Sequence, residues 1–83
     1  MVVVKAYGTA QKLVGTGRRE IGVREGMRLE ELIRQLLGGS GEIPSQLVSA
    51  ILINGRNCAF REGLATEIKD GDTVELLPIV TGG

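Results

Sequence analysis

The residues whose types and spacing suit chemistry stand at the end of the sequence, where Pro78-Ile79-Val80-Thr81-Gly82-Gly83 follows a β-rich segment and closes on two glycines. Glycine has no Cβ, so the last two peptides can be gripped closely from both sides, and the terminal carboxylate can approach a nucleotide phosphate without hindrance. Pro78 resists further ladder pairing and keeps the backbone extended. Six residues reach at most about 20 Å, enough to enter a narrow channel in another protein. A carboxylate is a poor acyl donor until a partner adenylates it with ATP, which supplies a leaving group and opens Gly83 to a sulfur or nitrogen nucleophile. The chemistry is then acyl transfer with this chain as substrate, Gly83 as the reacting residue and Gly82 as its threading neighbour. Taken alone, two glycines also describe a frayed terminus. The strand and proline ahead of them favour the functional reading.

The remaining side chains offer little to a free-standing catalyst. Histidine is absent, so no Ser-His or Cys-His pair exists, and no glycine loop with a phosphate-binding lysine occurs. Glu30 and Glu31 are neighbours that point to different sides of a helix, which makes them a solvated face. Asp70-Gly71-Asp72 reads as a turn, with glycine supplying positive φ and aspartate bonding its own backbone. Cys58, the one cysteine, follows an Asn-Gly turn with no histidine to activate it, and is expected to be a small, partly buried apolar side chain. One cysteine allows neither an internal disulfide nor a four-thiolate iron–sulfur cluster, and no metal site is expected.

Composition limits the partners as well. At 83 residues the chain is sized for one domain, and with 10 basic and 10 acidic side chains it carries no net charge. The charge is polarised: residues 1–40 hold seven basic and four acidic groups, residues 41–83 three and six, an asymmetry that a docking partner can read. Two aromatics, Tyr7 and Phe60, and no basic stripe make a poor nucleic-acid binder. There is no apolar run of membrane length and no export signal, so a cytoplasmic protein without membrane attachment is expected.

The elements that position the tail follow from periodicity. Residues 2–7 are β-branched and close at Gly8, reading as an inner strand. Residues 9–14 suit one helical turn, broken by Gly15-Thr16-Gly17. Residues 18–24 alternate with a period of two and suit a second strand, forming a hairpin with the first. Leu29, Leu32, Ile33, Leu36 and Leu37 fall at helical spacing with Glu30, Glu31, Arg34 and Gln35 opposite, an amphipathic helix stopped by Gly38-Gly39. Residues 39–46 read as a polar surface loop. Residues 50–53 read as a strand entering an Asn54-Gly55 turn, with a short return over residues 57–60. After the Asp70-Gly71-Asp72 turn, residues 73–77 form a last strand on which Val74 and Leu76 share a face. A ββαββ order with one helix asks for an α+β layer, a mixed sheet of four to five strands covered on one face by that helix.

Tyr7-Gly8, the Leu32-Ile33 and Leu36-Leu37 helix, Ile51-Leu52-Ile53-Asn54-Gly55, Lys69-Asp70-Gly71-Asp72-Thr73-Val74 and the Pro78 to Gly83 tail together resemble the MoaD/ThiS-type ubiquitin-like sulfur carriers, and among them the small subunit of molybdopterin synthase. The resemblance covers nearly the whole chain. It implies a ubiquitin-like β-grasp domain over residues 1–77 and an extended tail over residues 78–83. It also implies that Gly83 is adenylated by an E1-like adenylyltransferase of the MoeB/ThiF type, converted to a thiocarboxylate with sulfur from a sulfurtransferase, and inserted into the large subunit of molybdopterin synthase. No cofactor is bound on this reading; ATP is used by the adenylating partner. Ile79 stands where a second proline is frequent in the family, and Tyr7 where phenylalanine is frequent. These differences leave the carrier reading intact and leave the pathway open, since thiamine, cysteine and transfer-RNA thiolation carriers end alike. A ubiquitin-like protein modifier would use the same adenylate, and a passive interaction module would not use it at all. The partner surface is expected to be apolar and near the tail, with Leu77, Pro78, Ile79, Val80, Thr81 and Phe60 as its residues.

Overall fold

The computed structural model describes residues 1–15, 17–39, 43 and 50–78. The β-branched run Val2–Ala6 forms β1, and its burial alternates, with Val2, Val4 and Ala6 inward. A short helix, α1 (Thr9–Val14), leads to β2 (Arg18–Ile21), which pairs antiparallel with β1. The main helix, α2 (Leu29–Leu36), is followed by β3 (Ile51–Ile53), β4 (Arg56–Asn57) and β5 (Thr73–Leu76). The sheet order is β2-β1-β5-β3-β4, with β5 parallel to β1 and antiparallel to β3.

α2 buries Leu29, Leu32, Ile33 and Leu36, which join Val2, Val4, Ile51, Ile53, Val74 and Leu76 in one core. These are the apolar positions of a helix stripe and of alternate strand residues, so burial follows the two periodicities. Glu31 takes the place of a capping side chain at the start of α2. Its carboxylate accepts from the Arg28 N–H at 3.3 Å and pairs with Arg24. The other face of the sheet keeps Val3, Lys5, Leu52, Thr73 and Glu75 half-buried.

Two expectations change. The second strand ends at Ile21, paired with Val2 at the start of β1, and not at Arg24: the Met1 carbonyl turns to the Gly71 N–H instead, and Val23 stays half-buried against the core. The return after Asn54-Gly55 is a two-residue strand, and Cys58–Phe60 coil into a 3₁₀ turn because the Asn57 Oδ1 accepts the Ala59 N–H at 2.9 Å and bends the chain. Among the described residues no helix is long and apolar enough to cross a membrane. The loop expected over residues 39–46 lies mostly outside the described residues.

Candidate functional site

Register decides what surrounds the start of the tail. Ala6 pairs with Leu76 in the parallel β1–β5 ladder, so both strands finish at one end of the sheet. Ile51 pairs with Leu76 and Leu52 with Asn57, so β3 begins and β4 finishes at that same end. Tyr7-Gly8, Ala50, Cys58–Phe60 and Leu77-Pro78 thereby follow or precede strand ends on that side of the sheet.

The last residues of β5 are held from both sides. The Leu76 carbonyl accepts the Tyr7 N–H at 3.0 Å, and the Leu77 N–H donates to the Ala50 carbonyl at 2.8 Å. Pro78 has no N–H, so the ladder ends there and the exposed proline starts the tail. The Tyr7 hydroxyl donates to the Glu75 carboxylate at 2.9 Å. That hydrogen bond, then lost hydration and the carboxylate charge, raise the Tyr7 phenol above its ordinary value, so it stays a neutral donor.

This end of the sheet is apolar at its surface. Phe60 is 81% and Tyr7 39% exposed, and Leu77 is half-buried. Phe60 also flanks a shallow cleft lined by Gly55, Arg56 and Asn57. Aromatic and aliphatic side chains left in water are the kind of surface that a partner covers.

Among the residues proposed from sequence, Leu77, Pro78 and Phe60 are brought to one end of the fold. Gly82, Gly83, Ile79, Val80 and Thr81 lie outside the described residues. Tyr7 was missing from the set; inward Val2, Val4 and Ala6 place Tyr7 outward by parity, and that signal was present in the sequence. Leu52, outward between Ile51 and Ile53, was missed for the same reason. Cys58 is fully buried rather than partly buried, and burial pushes its thiol up, which disfavours the thiolate. Glu31 is engaged with Arg24 and the Arg28 amide, and Asp70 and Asp72 bond within their own turn and its surroundings, so neither carboxylate pair forms an acid/base site.

A mixed five-stranded sheet in this order, with one main helix packed on it, is the ubiquitin-like β-grasp fold, and the chain leaves its last strand at an apolar edge. The chain belongs to the ThiS family, whose model matches residues 4–83. It is 43% identical over 51 residues to a protein of Archaeoglobus fulgidus provisionally named a sulfur carrier protein. That match takes in 61% of this chain and 56% of the relative, so it spans little more than half the relative's length. The fold superposes on a Pyrococcus furiosus protein provisionally named molybdopterin converting factor subunit 1, with TM-score 0.72 and 28% identity over 95% of this chain and 97% of that one. Small archaeal modifier protein 1 of Methanosarcina acetivorans superposes with TM-score 0.73 and 28% identity, over 99% and 95%.

Proposed function

We propose that this chain is a sulfur carrier whose reactive group is the Gly83 carboxylate. An E1-like adenylyltransferase of the MoeB/ThiF type transfers AMP from ATP to that carboxylate and releases pyrophosphate. The outer sulfur of a sulfurtransferase persulfide then displaces AMP to give an acyl disulfide, and a second thiol cleaves that bond, forming a disulfide with the sulfurtransferase cysteine and leaving the Gly83 thiocarboxylate. The acceptor we favour is a pterin precursor in the large subunit of molybdopterin synthase, with Leu77, Pro78, Phe60 and the tail residues Ile79, Val80 and Thr81 meeting the partner, all in the cytoplasm.

The observation that carries the reading is the family match, which runs to residue 83 and so includes the terminal Gly-Gly. The apolar edge from which the tail departs supports it, because a partner that engages Tyr7, Leu77 and Phe60 holds the tail's root while its active site takes the end. The resemblance to the Pyrococcus furiosus protein favours molybdopterin as the pathway. A second reading is favoured by the likeness to small archaeal modifier protein 1: the same adenylate would end in an amide with a lysine of another protein.

Intact mass of the protein isolated from its own host without thiol-reactive reagents, followed by fragmentation, tests the proposal. Replacement of one oxygen by sulfur at Gly83 is expected. An unmodified terminus beside lysine-linked conjugates would transfer the assignment to a modifier, and sulfur delivery by a chain lacking Gly83 would overturn both.

A further inference from the structure

Gly8 follows β1 directly and sits at φ 54°, ψ −126°, a backbone region that glycine alone visits readily. A Cβ built there would lie 3.1 Å from the Pro78 Cγ and 3.2 Å from its Cβ. The other described glycines with positive φ face open space at the same point. Only at Gly8 do the conformational demand and a close approach coincide, and the group approached is the root of the tail.

We propose that Gly8 is a positioning residue: the Pro78 ring lies against its bare backbone, and this contact holds in place the root from which the chain continues to Gly83. The consequence for activity rests on the carrier reading given above. A side chain at position 8 must displace one of the two partners, and the hydrogen bonds decide which. Tyr7 is tied to Leu76 through its amide and to Glu75 through its hydroxyl, and the Gly8 carbonyl accepts the Gln11 N–H at 3.1 Å as α1 begins. Pro78 is exposed and lacks an amide hydrogen, so it is the partner that yields. The body would still dock through its apolar edge while Gly83 reaches the adenylating site less often, which lowers turnover more than binding.

The test is a double-mutant cycle between Gly8→Ala and Pro78→Gly, read in pyrophosphate release by the host's adenylating enzyme and in the amide resonances of residues 79–83. Gly8→Ala is expected to lower kcat about tenfold with KM within about twofold, and to shift those resonances. In the Pro78→Gly background, where the ring is gone, adding Gly8→Ala should change kcat less than about twofold, while the thermal stability lost to strained φ remains lost. Equal loss in both backgrounds, or an unchanged kcat in folded Gly8→Ala, overturns the proposal. If Gly8→Ala does not fold, Pro78→Gly alone decides: a fall of about threefold in kcat with unchanged melting temperature supports the contact, and unchanged kcat overturns it. Wild-type chain that is never adenylated would sink the carrier reading instead. The resonances would then decide the positioning role, supporting it by shifting in Gly8→Ala and returning toward Pro78→Gly in the double variant, and overturning it otherwise.

Discussion

The two ends of the sheet are built on opposite principles. At the end where β1 and β5 begin, polar groups close on one another. Asn54, at φ 52°, donates from Nδ2 to Asp72 Oδ1 and accepts the Thr73 N–H at Oδ1, both at 2.9 Å. Asp72 Oδ2 accepts the Lys69 N–H at 2.8 Å, the Gly71 N–H reaches the Met1 carbonyl at 2.9 Å, and the N-terminal ammonium pairs with Asp70. At the end where those strands finish, Tyr7, Phe60 and Leu77 stay partly or largely in water, and the Tyr7 hydroxyl donates to Glu75. An end that satisfies its polar groups within the chain holds the fold together. An end that leaves apolar surface uncovered is, on the proposed function, the one that a partner meets.

The largest effect should come from breaking the apolar end. Phe60→Asp is expected to weaken binding to the adenylating enzyme about a hundredfold, in the range of a central interface aromatic, with the melting temperature moved by less than about 2 °C because the ring is already exposed. Calorimetric titration and thermal unfolding check both halves. Unchanged affinity would remove Phe60 from the docking surface. At the polar end the signs reverse. Asp72→Ala leaves the Asn54 amide and the Lys69 N–H without their acceptor and is expected to cost about 2 kcal/mol, lowering the melting temperature by roughly 10 °C with kcat for adenylation unchanged. A loss of kcat at equal folded fraction would mean that the two ends are coupled.

The elements on which this contrast rests are legible in the sequence. The helix over Leu29 to Leu36 follows from spacing alone, and the Asn54-Gly55 and Asp70-Gly71-Asp72 turns from residue chemistry. The chemistry expected of the tail rests on chain order and on glycine's missing Cβ, and it falls on residues outside the described ones. What could not be read was the parallel pairing of Val3 with Thr73 and Ala6 with Leu76, since long-range register depends on how all the strands share one core. Without that register, nothing placed Tyr7 beside Leu77 or brought Phe60 to the tail's end of the sheet. The Cys58–Phe60 turn was missed because a single Asn57 side-chain bond outweighed the expectation of a continuing strand.

Cys58 separates surface from interior at the apolar end. It lies in the turn that ends in exposed Phe60, yet it is fully buried and its thiol is pushed up by that burial. Cys58→Ala should cost about 1 kcal/mol by removing a small buried group and leave thiocarboxylate formation intact, while the thiol of the native wild-type chain should be slow to alkylate. Thiocarboxylate loss in a folded Cys58→Ala chain would give this residue a part in sulfur transfer.

The smallest effect belongs to Asp70, at the polar end. Its hydrogen bond to the N-terminal ammonium, reinforced by that group's charge, holds the Asp70 carboxyl below the ordinary carboxylate value. A depressed folded-state value means that the fold favours the ionised form. The stabilisation is therefore present above the ordinary carboxylate range and is lost as pH falls through the folded value. Asp70→Asn should lower the melting temperature slightly at neutral pH, and the difference from wild type should shrink to nothing under strongly acidic conditions. Both groups are well exposed, so salt should diminish the difference as well. A difference that persists in acid would assign the role of Asp70 to turn geometry and not to charge, leaving the Asn54 and Asp72 hydrogen bonds as what closes this end of the sheet.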